Sequence, residues 1–353
     1  MLPTAPPASM DARRGDWSWA LMEDTAFGTN QPGPGNLPYA GTSASAALAV
    51  LVVRSFLMSW RIVAQRVADG MVLSTANLYF TAHDNGGAGV FRTAQSAKPG
   101  QEIELCHESD CRFGDIVWAK VDEVFYGYFF ALAGGMATIR RIPLAPQPGQ
   151  VAEIIRPATA DIDIVSSHGN LVTDGSFLYW QSDTAINKMS VLGGAVIVLD
   201  RTPLTRPATG LHLVGPNLIY AVGRVVYYVP VDGSATSPPA SRVVFTIATG
   251  VVACAPLVGS VFAADRNGSI VWHADSGSGQ VKQNPGAAFV TSMAYDGAHA
   301  ALAWTQMAGA WQLHLEASVN NFTFTTGANP RLAMFNAAGD VYWLDDNGVI
   351  ASR

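Results

Sequence analysis

An aromatic-centred strand pattern that recurs seven times, tight-turn punctuation between short apolar runs, and a final unit one strand short together predict an all-β fold. The expected architecture is a seven-bladed β-propeller of four-stranded antiparallel blades, closed by an N-terminal strand that completes the last blade. The pattern is clearest between Gly169 and Leu199. Leu171-Val172 begins an apolar run, and Asp174-Gly175 turns the chain into a second run, Phe177 to Trp180. A polar turn, Gln181 to Thr184, leads to the alternating run Ile186 to Val191, and Gly193-Gly194 turns the chain again into Val196 to Leu199. Four short strands joined by tight turns make one antiparallel meander. Both of its faces are largely apolar, so neighbouring copies must cover them.

The second strand of this unit, Leu178-Tyr179-Trp180, is echoed at Leu78-Tyr79-Phe80, Phe125-Tyr126, Ile219-Tyr220-Ala221, Val261-Phe262-Ala263, Leu302-Ala303-Trp304 and Val341-Tyr342-Trp343. From the third copy onward the spacing is about 40 residues, the period of a four-stranded blade. The earlier gaps are longer, with the extra residues in Lys98 to Arg112 and Pro143 to His168. Third strands recur at Val90 to Arg92, Ile139 to Ile142, Ile186 to Met189, Val225 to Val229, Ile270 to Trp272, Trp311 to Leu315 and Val349-Ile350. Fourth strands are read at Val196 to Leu199, Val243 to Thr246 and Phe322 to Thr325. The last unit ends at Arg353, directly after its third strand, and Trp60 to Ala64 has the place and pattern of the missing fourth. Pairing the two removes an exposed sheet edge. The recurring second-strand aromatic reads as core, a ring filling the wedge between neighbouring blades.

Residues 1-59 differ from the rest and are expected to be a leader or a poorly ordered extension ahead of a propeller over residues 60-353. The stretch from Ala46 to Val53 is apolar, as in a signal-peptide core, yet no Lys or Arg lies between Gly15 and Val53 to flank it. A packed extension and a natural start at Met22 or Met58 are the other readings.

Composition excludes several classes. Hydrophobic residues are 49% and charged residues 14% of 353, which excludes a disordered chain. The formal net charge of −6, with no long basic run, leaves no nucleic-acid footprint. No apolar stretch approaches the ~20 residues of a spanning helix, so no integral membrane span is expected. Of three cysteines, Cys254 sits in an apolar strand pattern, while Cys106 and Cys111 frame the segment CHESDC. A disulfide between Cys106 and Cys111 is expected, and with it an extracellular or periplasmic location. His107, Glu108 and Asp110 add metal-ligand types to that segment, but no second close cysteine pair exists to complete a structural zinc site.

Residues Asp174 to Gly194, DGSFLYWQSDTAINKMSVLGG, resemble the YWTD and NHL-like class of β-propeller repeats. Tyr179-Trp180 ends the second strand, Ile186-Asn187-Lys188 begins the third, and Gly193-Gly194 forms the small turn, as in that class; Ile139-Arg140-Arg141 and Val231-Asp232-Gly233 echo parts of it. The resemblance implies a scaffold whose relatives mostly bind proteins, peptides or glycans, with a minority of enzymes.

In such a ring, the loops between second and third strands and the links between blades gather at one mouth of the central channel. The candidate ligand-binding residues there are His83, Asp84, Asp161, Asp163, His168, Asp183, Arg224, Asp265, Arg266, Arg331 and Asp345. A ring of Asp with one or two His suits a divalent cation such as calcium, although turn Asp residues more often bond their own backbone; no bound cofactor is expected and no metal ligand set is assigned. No G-x-S-x-G elbow, phosphate loop, HExxH or dinucleotide fingerprint is present, and no catalytic residue is assigned. The expected function is a monomeric, non-enzymatic binding propeller with a protein, peptide or glycan partner at its channel mouth. The rival is a metal-assisted hydrolase or lyase with its site at the same mouth.

Overall fold

The computed structural model describes residues 60–84, 86–147, 149–157, 171–182, 185–200, 209–233, 242–246, 251–257, 260–265, 269–274, 277–282, 289–296, 301–308, 310–317, 320–325 and 331–352. The leader expected over residues 1-59 lies outside them.

The chain is an all-β propeller of four-stranded antiparallel blades. It begins with β1 (Trp60–Ala64), which pairs far away in sequence. The first consecutive sheet is β2 (Ala68–Leu73), β3 (Asn77–Asp84), β4 (Gly87–Ala94) and β5 (Ile103–Glu108). The second is β6 (Arg112–Val121), β7 (Val124–Ala133), β8 (Met136–Pro143) and β9 (Glu153–Arg156). The third is β10 (Leu171–Thr173), β11 (Phe177–Gln181), β12 (Ile186–Ser190) and β13 (Ile197–Asp200), the unit where the repeat is clearest. Next come β14 (Thr209–Val214), β15 (Asn217–Val222), β16 (Val225–Pro230) and β17 (Arg242–Thr246). The fifth is β18 (Val251–Leu257), β19 (Ser260–Asp265), β20 (Ile270–Ala274) and β21 (Gly277–Lys282). The sixth is β22 (Phe289–Asp296), β23 (Ala301–Ala308), β24 (Ala310–Ala317) and β25 (Asn320–Thr325). The last is β26 (Arg331–Phe335), β27 (Val341–Asp345) and β28 (Gly348–Ser352), with β1 as its outer strand. Trp60 pairs with Ser352, Arg61 with Ala351 and Ile62 with Ile350.

Two stretches expected to be insertions carry outer strands instead. β5 occupies Ile103–Glu108 and β9 occupies Glu153–Arg156. Both are short and half polar, because an outer strand has only one neighbour and much of it meets water.

The packing unit is the seam between two sheets. Leu78 and Phe80 of the first sheet pack with Val63, Tyr342, Leu344 and Val349 of the last. Ala303 of the sixth packs with Val341, Trp343 and Ile350 of the last, so the last sheet touches neighbours on both faces. In the third sheet, Tyr179 faces Leu218 and Tyr220 of the fourth, while Leu178 and Trp180 face Tyr128 and Ile139 of the second. Side chains alternate along a strand, so adjacent positions serve opposite seams. Tyr179, Trp180, Tyr220, Tyr342 and Trp343 are all fully or almost fully buried. The recurring aromatic is core in these sheets, as its periodicity implied; in the second sheet Phe125 is exposed at the start of β7 and the buried rings are Tyr128, Phe129 and Phe130, and Phe262 of the fifth sheet is half-buried.

Candidate functional site

Each sheet is a meander, so its first-to-second turns lie at one end of the propeller. Its second-to-third turns, with the links between sheets, lie at the other. The candidate residues are those expected at that second end. His83 and Asp84 are the last two residues of β3, and Asp265 and Asp345 close β19 and β27.

His83 sits in a built constellation. Its Nδ1 lies 2.5 Å from Asp69 Oδ2, and the other carboxylate oxygen of Asp69 accepts from Arg112 Nη2 at 2.9 Å. Asp69 is 5% exposed. It occupies a β-bulge: the register of β2 on β3 shifts between Ala68 and Gly70, leaving Asp69 as the extra residue. A bulge re-aims a side chain out of the strand's alternation, and here it turns a carboxylate toward the end of β3. Glycine at position 70 allows the neighbouring sheet to approach, since a Cβ there would stand 2.7 Å from the Asp115 Cα. Thr81 Oγ1 donates to the Gly114 carbonyl at 2.7 Å across the same seam. The constellation joins β2 and β3 to the start of β6 and presents an imidazole oriented by a carboxylate.

Other candidates are engaged in turns and seams. Asp84 Oδ1 accepts the Gly86 N–H at 2.7 Å, and its Oδ2 stands 3.8 Å from Arg66. Asp265 accepts the Ser269 N–H at 2.9 Å. Asp345 is buried and accepts the Asn347 N–H at 2.7 Å; burial pushes its carboxyl above the ordinary range. Arg331 pairs with Asp346 at 2.9 Å and donates to the Ala68 carbonyl at 3.2 Å, tying the last sheet to the first. Arg224 is exposed in the β15–β16 turn. Asp161, Asp163, His168, Asp183 and Arg266 lie outside the described residues. Among the described residues no group of three or more His, Cys, Asp or Glu converges as a metal site would need.

The expected Cys106–Cys111 disulfide is not formed: both cysteines are free thiols. CHESDC is not one loop. Cys106, His107 and Glu108 end β5, where Cys106 pairs with Val90 and points into the seam between the first two sheets. Cys111 lies beyond the turn, its Sγ 3.7 Å from the Glu108 carbonyl oxygen. Burial pushes the Cys106 thiol up to about 12, and burial with the Glu108 charge pushes Cys111 to about 11. Glu108 itself pairs with Arg140 of β8. The pair therefore gives no argument for an oxidising compartment.

The first strands of all seven sheets line a central cavity of about 950 Å³. Its wall is mainly apolar, including Met71, Trp118, Leu171, Leu211, Met293 and Phe335. His212 and Cys254 also line it. Burial pushes the His212 imidazole down to about 4, against the hydrogen bond it gives the Cys254 carbonyl, and burial pushes the Cys254 thiol up to about 12. Both shifts favour the uncharged forms. None of the described candidate residues lines this cavity.

Of the three residues in this constellation, His83 is among the candidates read from the sequence, and Asp69 and Arg112 are not. Arg112 ends a stretch that reads as an insertion, and Asp69 sits in a first strand whose bulge has no sequence signature beyond the flanking Gly70.

No protein-family model matches the chain, and no curated protein matches it in sequence. Solved structures do match in shape. The streptogramin B lyase structure is 13% identical with a TM-score of 0.57, covering 84% of this chain and 97% of that one. The WD40 β-propeller domain of Doa1 is 10% identical with a TM-score of 0.59, covering 83% and 96%. YCF48 from Cyanidioschyzon merolae is 10% identical with a TM-score of 0.57, covering 83% and 98%. The likeness is one of propeller fold, and it does not single out YWTD or NHL repeats.

Proposed function

We propose that the chain is a closed seven-bladed binding propeller that receives a protein, peptide or glycan partner at the end carrying His83. The observation behind this reading is what the described candidates do at that end. Asp84, Asp265 and Asp345 accept backbone N–H groups of their own turns, and Arg331 ties two sheets together. Such groups build a rigid rim, and rigid scaffolds carrying short loops suit recognition. Seven four-stranded sheets and the pairing of β1 with β28 support the closed ring. An extracellular or periplasmic location belongs to the same reading and is checked by cell fractionation.

The test places a photoreactive benzoylphenylalanine at Gly86, in the β3–β4 turn, or at Pro216, in the β14–β15 turn at the opposite end. Irradiation in an extract of the source cells should give covalent adducts from position 86 and few from position 216. Adducts from 216 alone would move the binding face to the other end.

One observation favours the enzymatic alternative, a metal-assisted hydrolase or lyase: the 2.5 Å contact of His83 Nδ1 with a buried Asp69. A carboxylate-held imidazole serves general bases and metal-ligating histidines alike. Elemental analysis of the purified protein separates the readings. A stoichiometric divalent ion that is lost on replacing His83, or Asp161, Asp163 and His168, would favour the enzyme.

A further inference from the structure

A second, smaller pocket of about 370 Å³ opens beside Arg112, walled by Asp110 and the backbone of Gly86, Gly87, Gly134 and Gly135. Arg112 carries five N–H donors. One is fixed to the buried Asp69 carboxylate at 2.9 Å, and the others meet no protein group among the described residues. Asp110, held at φ 57° in the turn before β6, likewise has no partner among the described residues. Asp110 and Arg112, two positions apart in the chain, both line this pocket and do not pair with each other among the described residues. Asp84 also lines the pocket, but its carboxylate is committed to the Gly86 N–H and stands near Arg66. Gly134 and Gly135 also line the pocket, with no atom within 4 Å of where a Cβ would stand at either.

A fork of donors and a carboxylate lining one pocket select against simple ions. An anion drawn to Arg112 meets Asp110, and a cation drawn to Asp110 meets Arg112. A neutral molecule with adjacent hydroxyls satisfies both: one hydroxyl accepts from the guanidinium while its neighbour donates to the carboxylate. The volume lies near the lower end of the ~300–1,000 Å³ typical of small-molecule sites, which suits one ring rather than an extended chain. We propose that this pocket binds a neutral saccharide, in the form of a terminal hexose unit. This deepens the binding reading above by naming the glycan among its partner classes, and it rests on that reading.

The test is saturation-transfer NMR on the intact protein with the methyl glycosides of glucose, galactose, mannose and N-acetylglucosamine, and with glycine betaine as a zwitterion. At least one glycoside should give a saturable signal. Asp110→Gly deletes the carboxylate while keeping a residue at ease with positive φ, and should weaken binding about tenfold, the loss of one charge-assisted hydrogen bond. Arg112→Lys keeps a cation for Asp69 but loses the fork, and should weaken binding similarly. The proposal is overturned if no glycoside binds, if betaine binds and the glycosides do not, or if both variants bind the glycoside like the parent. Glycoside binding without photoadducts at position 86 would leave this pocket standing and remove the macromolecular partner; adducts without glycoside binding would do the reverse.

Discussion

Replacing Tyr179 is the most direct test of how the blades are held together. The ring is fully buried in the seam between the third and fourth sheets, against Leu218, Tyr220 and Val229. Its hydroxyl donates to Asp174 Oδ2 at 2.6 Å. Asp174 also accepts the Ser176 and Phe177 N–H groups at 2.8 and 2.7 Å, so one side chain both caps the β10–β11 turn and anchors the ring. Tyr179→Ala removes a whole aromatic from a packed seam and should cost about 3–5 kcal/mol, the range for emptying a buried aromatic site. Tyr179→Phe keeps the packing and loses one hydrogen bond to an exposed acid, where water replaces the hydroxyl, so about 1 kcal/mol is expected. Urea titrations of the three proteins give the differences through their midpoints, provided the slope is unchanged.

The pH dependence supplies an independent arm. Burial acts to raise the Asp174 carboxyl, but the hydrogen bonds from Tyr179, Phe177 and Ser176, with the Lys188 charge, outweigh it and hold the group below its ordinary range. A carboxyl lowered in the folded state adds stability that is fully present above its unfolded value of about 4 and is lost as pH falls through the lower folded value. The gap between parent and Tyr179→Phe should therefore be constant near neutrality and shrink only in acid below about pH 4. An Ala variant within a few tenths of a kcal/mol of the parent would refute the seam as the source of stability. A gap that widened in acid would refute the Asp174 link.

Three further outcomes follow from single contacts. Asp69→Ala should cost about 1–2 kcal/mol, discounted because the His83 and Arg112 side chains are 38% and 56% exposed, and nitrogen NMR should show His83 losing its fixed Nδ1–H tautomer; an unchanged tautomer ratio would remove the dyad. Gly348→Val should loosen β1 from β28, because a Cβ at position 348 would fall 1.9 Å from the Ala64 carbonyl oxygen and φ there is +128°; amide exchange at Ile62 should rise while exchange at Leu178 stays near parental, and equal protection at Ile62 would contradict that contact. Thiol titration of the unfolded, unreduced protein should count three thiols, with Cys106 and Cys254 slow to react in the folded state because burial pushes both up to about 12; one thiol would restore the disulfide.

What the sequence reveals and what it hides follow from where the physics is written. Second strands are central in their sheets and packed on both faces, so they spell apolar runs with large rings and most could be read; in the second sheet the reading fell on Phe125-Tyr126, at the exposed start of β7, while Tyr128, Phe129 and Phe130 fill the core. β1 could be read because the last unit visibly lacked a partner. β5 and β9 escaped because an edge strand, with Ile103 and Ile154 about half exposed, need not look like core. CHESDC misled for the same reason: three of its residues continue a half-wet strand, so its composition resembles a loop. The site was half legible, since His83 lies in a readable strand end while its partners come from a bulge and from the next sheet.

That bulge recurs through the propeller. The first strand shifts register against the second in six sheets: between Ala68 and Gly70, Phe113 and Ile116, Thr209 and His212, Val251 and Ala253, Val290 and Ser292, and Arg331 and Met334. Innermost strands crowd around one axis, and an extra residue adds the local bend and twist that crowding demands. The extra residue escapes the alternation that fixes core identity, so its side chain is not constrained to be apolar. The first two sheets use that freedom for acids, Asp69 and Asp115, both buried, whereas the fifth sheet places Val252 at its shift. The polar constellation and the small pocket beside Arg112 both lie where these first two sheets meet. A repeat that must stay uniform in its second strands is thus free to differ at its bulges, and it is there that this chain sets one seam apart from the others.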